Sequence, residues 1–157
     1  MEIRKAEIGD IKKILDLLGD VLNIHAKIRP DIFIPNTTKY TESELKEIIE
    51  NKNTPVYVAV SSSGEVTGYA FCQIEDHPKT NNTLPYKSLY LDDLCVDGNC
   101  RGQGIGKQLF NFVKTEARKL GCYEITLNVW EGNDNAKRFY ENLGLKPKKT
   151  LMEYIIK

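Results

Sequence analysis

Missing from these 157 residues are most of the features that would place the chain outside the soluble globular class. No apolar run approaches the roughly 20 residues that a bilayer span requires, and the opening MEIRKAEIGD has no hydrophobic segment of the kind a secretion signal carries. The expectation is a cytoplasmic protein without a membrane partner. The four cysteines, Cys72, Cys95, Cys100 and Cys122, form no C-x-x-C pair, so neither a structural metal nor a disulfide framework is expected. A charge excess is also absent. Lys plus Arg and Asp plus Glu both number 22, which gives no general affinity for nucleic acid. Repeats and low-complexity segments are lacking too. The 41% apolar and 28% charged residues that are present suffice for one well-buried core and are too few for two domains, so 1–157 reads as a single domain.

Periodicity gives an α/β alternation. EIRKA (2–6) reads as a strand, and Ile11, Ile14, Leu15, Leu18, Val21 and Leu22 follow helical spacing behind Asp10 as N-cap, to an end near His25. Segment 27–40 has two prolines and no period. Thr41 and Glu44 then form a capping box for a helix ending near Asn51. PVYVAV (55–60) and EVTGYAFCQIE (65–75) read as a hairpin, with YKSLYLDDLCV (86–96) as a third strand. A helix from Gly104 stops at Gly121, CYEITLNVW (122–130) is a strand, Asn133 to Leu143 is a helix stopped by Gly144, and TLMEYIIK (150–157) is a last strand. The strand, loop, helix and strand over 86–130 favour a parallel pair.

Between the third strand and its helix lies CRGQGIGKQLF, with Gly102, Gly104 and Gly106 alternating. A helix N-terminus offers unpaired N–H groups and the positive end of a dipole, so the loop suits an anion. The dinucleotide fingerprint G-x-G-x-x-G fails because the third glycine comes one residue early. The Walker pattern also fails, since Arg101 stands where a glycine is needed and Gln108 follows Lys107. What is left is R-x-x-G-x-G, Arg101 to Gly106, set against the plain reading of a glycine-rich helix start that binds nothing. Further on, Asn133 and Tyr140 are two helical turns apart and share a face; as structure alone they are an N-cap and a core aromatic.

Together, LDDLCVDGNCRGQGIGKQLF and the later NDNAKRFYENLGL resemble the acetyl-CoA-binding core of the GCN5-related N-acetyltransferases (GNAT) over residues 55–146. The resemblance implies one GNAT-like domain, with a mixed and mostly antiparallel sheet, a splayed parallel strand pair and flanking helices. It implies an N-acetyltransferase that moves acetyl from acetyl-CoA, its co-substrate, to a primary amine. The backbone of Leu94, Cys95 and Val96 would meet the pantetheine arm, and Arg101, Gly102, Gln103, Gly104, Ile105, Gly106 and Lys107 would surround the pyrophosphate. Asn133, or Asn135 beside it, would make a polar contact near the thioester, and Tyr140 would protonate the departing thiolate. Direct attack is expected, because Cys95 lies in an apolar strand with no histidine nearby in sequence to activate it as an acyl carrier.

The base is less marked. A ribosomal-type N-terminal acetyltransferase would carry Glu where Asn128 stands, and Asn128 takes no proton. Asp92 and Asp93 are the candidates; a period of two points them to opposite faces, and either could instead be a solvated surface group. Glu75, Asp76, Asp92, Asp93 and Glu131 could jointly attract a cationic amine, with 25–33 and 74–86 as acceptor segments. His25 could titrate near that acceptor, while His77 reads as a loop residue. Partners expected are a small-molecule or peptide amine, with a homodimer left open. The alternative is a non-catalytic acyl-CoA-binding regulatory module.

Overall fold

The strand VYVAV is buried at all five positions, which an isolated hairpin could not provide. In the computed structural model, which describes residues 1–157, helices cover it from both sides. The elements are β1 (Glu2–Lys5), α1 (Ile11–Ile28), α2 (Glu42–Glu50), β2 (Val56–Val60), β3 (Val66–His77), β4 (Tyr86–Val96), α3 (Ile105–Lys119), β5 (Glu124–Thr126) and α4 (Asp134–Asn142). The sheet runs β1-β2-β3-β4-β5; all neighbours are antiparallel except β4 and β5, which are parallel. Val56, Val58 and Val60 pack with Ile14, Leu17 and Leu18 of α1 and Leu45 of α2. Tyr57 and Ala59 pack on the opposite face with Leu109, Phe110 and Val113 of α3. A strand covered twice is apolar at every position, as strands with two buried faces are.

Local chemistry explains most boundaries. Thr41 and Glu44 close a reciprocal capping box at α2, and Gly121 and Gly144 take positive φ, 76° and 96°, just past α3 and α4. Four expectations need correction. Helix α1 runs to Ile28 and not to about His25; it ends where Pro30 keeps Arg29 out of the helical region, at φ −131° and ψ 72°. Asp10 precedes α1 without a side-chain cap to it, because its carboxylate accepts from the Glu7 N–H at 2.8 Å and pairs with Arg4. Of 122–130, only Glu124–Thr126 forms a ladder, and 150–157 forms none. Strand propensity produces a strand only where another backbone offers its groups.

The feature that matters for function sits in β4. Its register against β3 slips between Phe71 and Cys72, which face Asp93 and Leu91, so Asp92 is an extra, bulged residue. Before the bulge, Leu89 and Leu91 face α3; after it, Leu94 and Val96 do, while Cys95 joins the α1 side.

Candidate active site

The site is made where β4 loses its second neighbour. Ser88, Leu89 and Tyr90 pair with Glu124, Ile125 and Thr126, and from Leu91 to Val96 the strand keeps only β3. The backbone groups of Leu94 and Val96 on its other edge are therefore free along a slot, while Cys95 turns its own toward Tyr69 of β3. Such groups must find partners; an extended amide-bearing chain would satisfy them.

At the end of the slot the loop is equally unsatisfied. The N–H groups of Arg101, Gly102, Gln103, Gly104, Ile105, Gly106 and Lys107 donate to no atom of the protein; the first helical bond runs from Gln108 to the Gly104 carbonyl at 3.0 Å. Gly102 and Gly104 take φ of 79° and 75°, and this left-handed geometry turns successive N–H groups inward as an anion cradle. Arg101 and Lys107 have no carboxylate partner, so two cationic side chains flank the cradle. Gly106 is needed for another reason: a Cβ there would lie 3.0 Å from the Phe139 ring, so it lets α4 close on α3. The loop is also tethered, since Lys13 of α1 donates to Asp97 at 2.6 Å and Asp97 accepts from the Asn99 N–H at 3.0 Å.

The two aspartates do not face opposite ways. The bulge brings both to the α1 and α2 side, where each meets a tyrosine. Asp92 accepts from Tyr40 at 3.0 Å and from Lys39 at 2.9 Å through both oxygens. Asp93 accepts from the buried Tyr69 hydroxyl at 2.6 Å. Their chemistry therefore differs. Asp92 is bonded by an ammonium and a hydroxyl, whereas burial pushes Asp93 up to about 6, only partly countered by Tyr69 and Lys39. A carboxyl that titrates just below neutrality is matched to accepting a proton. No local pattern marks Lys39, Tyr40 or Tyr69 as its surroundings; only the surplus residue in β4, visible against β3, makes that environment.

Tyr140 lies half-buried against the α3 side, in edge contact with Phe139 at 5.1 Å between centroids. Burial first, then the nearby charges of Asp93 and Cys95, raise its pKa, so the phenol keeps its proton. Tyr140 packs on the α3 side of the sheet and Asp93 and Cys95 on the α1 side, with their charges still felt at the phenol. Cys95 is pushed up to about 12 by burial and then by Asp93, and is a thiol rather than a thiolate. Asn133 caps α4 by accepting from the Ala136 N–H at 3.3 Å. Asn135 is exposed and accepts from Arg138 at 2.8 Å, which leaves Asn133 as the better placed amide.

Of the two expected acceptor segments, 25–33 packs on Trp130, in the stretch that follows β5. Phe33 packs between His25 and Trp130, at 5.4 Å from each, and Arg29 lies over Trp130. Burial lowers the pKa of His25, which favours neutral imidazole. Segment 74–86 belongs to the opposite end of β4: His77 stacks on Tyr86 at 4.1 Å and Asp76 approaches Lys87. The acids do not form one cluster, because Glu75 and Asp76 are there while Asp92 and Asp93 are at the bulge. Asn128 donates to the Tyr90 hydroxyl at 3.1 Å.

A family model described as the acetyltransferase (GNAT) family matches residues 21–145. A glucosamine 6-phosphate N-acetyltransferase of Arabidopsis thaliana is 26% identical over 155 residues, 96% of this chain and 93% of that protein. An uncharacterized N-acetyltransferase of Lactobacillus delbrueckii subsp. lactis is 34% identical over 82 residues; the match spans 52% of this chain and less than half, 46%, of that relative. Among solved structures, a point mutant of the BH1408 protein of Bacillus halodurans superposes with a TM-score of 0.95 at 30% identity, covering 99% of both chains.

Proposed function

Because this chain belongs to the acetyltransferase (GNAT) family, whose members use acetyl-CoA, we propose that it moves an acetyl group from acetyl-CoA to a primary amine by direct attack in a ternary complex. One observation carries this reading: the open edge of β4 runs from the bulge at Asp92 and Asp93 to a loop whose N–H groups, Arg101 through Lys107, are all free. The donor set fits the co-substrate. Free N–H groups, Arg101 and Lys107 suit a pyrophosphate, and the edge at Leu94 and Val96 suits the amides of a pantetheine arm.

Bound acetyl-CoA supplies an activated acyl carbon. In the proposed reaction Asp93, with its raised pKa, takes a proton from the incoming ammonium directly or through water. The neutral amine then forms the C–N bond as the C–S bond breaks. An outward N–H of β4, that of Leu94 or Val96 since Cys95 turns its own toward Tyr69, donates to the thioester oxygen as it gains charge. Tyr140 gives its proton to sulfur, and the remaining proton on nitrogen leaves to solvent. Its raised pKa makes Tyr140 a reluctant acid, so transfer follows the build-up of charge on sulfur. Asp92 takes no part as a base, since Lys39 and Tyr40 hold it. Cys95 carries no acyl group, because a thiol held near 12 is a poor nucleophile at neutral pH.

The acceptor is a primary amine approaching past Phe33 and Trp130. Relatives named for glucosamine 6-phosphate and for thialysine make amino sugars and lysine-like amines the first to try. The test is release of free thiol from acetyl-CoA across a panel of amino sugars, polyamines and lysine peptides. Stimulation by one class well above water hydrolysis is expected. Tight acetyl-CoA binding with no stimulation by any amine would overturn catalysis and leave the regulatory binding module.

A further inference from the structure

Most paired lysines of this chain find their acids away from the slot: Lys119 meets Glu116 on α3, Lys87 meets Asp76 at the far end of β3 and β4, and Lys148 meets Glu124. Lys39 is different. From the loop between α1 and α2 its Nζ crosses the fold to Asp92, 2.9 Å from both carboxylate oxygens, and so ends on the half of β4 that has no second neighbour. The loop is pinned on both sides of it. Tyr40 donates to the same carboxylate at 3.0 Å and packs on Phe71 at 5.7 Å between centroids. Thr38 donates to the Tyr40 carbonyl at 2.8 Å, and the Asn36 N–H donates to Asn23 of α1 at 2.9 Å. A lysine held this way has a fixed place, and a fixed place is what favours reaction within a molecule over reaction between molecules.

That place lies among the groups an acetyl transfer needs. Asp93, beside Asp92 at the bulge, feels the Lys39 charge, and so does His25 on an expected acceptor segment; in both, burial is the larger effect. Tyr140 packs on the opposite, α3 side of the sheet. Amine and base thus stand on one side of the open strand and the acid for the leaving group on the other. The Lys39 side chain is 46% exposed, and an ion pair this open exchanges for water at little cost, so the ammonium can leave Asp92 without unfolding anything. Resting on the N-acetyltransferase reading above, we propose that Lys39 is itself an acetyl acceptor: without a free amine, the chain moves acetyl from acetyl-CoA to its own Lys39 Nζ. Asp93 takes a proton from the Lys39 ammonium, directly or through water. The amine then forms the C–N bond to the acyl carbon as the C–S bond breaks. Tyr140 gives its proton to the departing sulfur, the second nitrogen proton restores the phenol through solvent, and a single proton is released overall. Position 39 becomes a neutral amide, and Asp92 keeps Tyr40 alone.

Peptide mass mapping of the full chain, incubated with acetyl-CoA and no other amine, tests this. One acetyl on the peptide that carries Lys39 is expected, at a rate unchanged by roughly tenfold dilution of the protein, as for transfer within one chain. In Tyr140→Phe it should form roughly 10²-fold more slowly, as for a free amine. Asp93→Asn should lose it likewise and serves the comparison if Tyr140→Phe does not fold. Lys39→Arg, which keeps a cation for Asp92, should take up none there. In the protein alone, the His25 imidazole read by NMR should titrate higher in Lys39→Gln than in the wild type, because a nearby cation is gone. An unmoved His25 takes Lys39 off the acceptor side and overturns the proposal. Acetylation of Lys39 that is as fast in the variants is uncatalysed chemistry, and a rate that falls on dilution is transfer between copies; either overturns it. If an amine of the panel releases thiol while Lys39 stays unmodified, self-transfer is overturned and the N-acetyltransferase reading stands. If neither Lys39 nor any amine takes acetyl, both fall.

Discussion

Along β4 two halves of one strand meet different fates. Tyr86 to Tyr90 have β3 on one side and, from Ser88 on, β5 on the other; Leu91 to Val96 have β3 alone. The first half spends its side chains on packing and pairing: Ser88 is buried and bonds Glu124 at 2.7 Å, and Tyr86 stacks on His77. The second half carries a carboxyl near 6, a thiol near 12 and free backbone. Groups left unsatisfied inside a fold are costly, so a strand that leaves them open does so where a ligand completes them.

Breaking the open half at its chemistry should have the largest effect. Tyr140→Phe keeps the ring and its contact with Phe139, so kcat should fall by roughly 10²-fold while the acetyl-CoA Kd moves by less than about threefold. Unchanged kcat with chemistry rate-limiting would reduce Tyr140 to packing. For Asp93 the sharper measurement is pH. With the base ionised only above its folded pKa, kcat/KM should rise as pH passes about 6 and then level, and Asp93→Asn should abolish that limb. Stability moves the other way. A carboxyl raised in the folded state adds stability that is full below its unfolded value, about 3.9, and lost as pH rises through about 6. Thermal melts of Asp93→Asn should therefore lose this pH dependence.

Next comes the loop. Gly104 caps α3 at φ 75°, where a β-branched residue is strained, and Gly104→Val should weaken acetyl-CoA binding at least tenfold, about 1.4 kcal/mol, with the fold retained. Calorimetry on the folded variant reads it; full affinity would remove the loop from the pyrophosphate site. The smallest change is expected in the paired half: His77→Ala should leave kcat and acetyl-CoA Kd within about twofold, since surface changes away from a site are near neutral. A large loss of activity there would erase the distinction between the two halves.

How much of this is legible in the residues follows the range of the forces involved. The capping box at Thr41 and Glu44, the stops at Gly121 and Gly144 and the glycine-rich turn into α3 depend on neighbours in sequence, and the structure keeps all of them. Period-two reasoning puts Asp92 and Asp93 on opposite faces because it cannot see that β3 has one residue fewer. Lys39, Tyr40 and Tyr69 reach these acids across the fold, with nothing nearby in sequence to announce them. Periodicity reads 150–157 as a strand, but no backbone bond pairs it with any other strand.

The bulge at Asp92 finally bears on what kind of genetic change the site tolerates. Eleven residues of β4, Tyr86–Val96, stand opposite ten of β3, Gly68 through His77. Substituting Asp92 alters a charge paired with Lys39, but deleting it removes the surplus and leaves Leu91 and Asp93 adjacent, each still opposite its present partner. Both ladders would stay in register and the strand would straighten, free to pair with β5 beyond Tyr90 and shut the slot. Such a deletion should fold and melt normally yet bind no acetyl-CoA by calorimetry; retained binding would show that the gap is held open by something else. In a lineage of such chains, in-frame loss of one codon here would do what no single missense change at that position can.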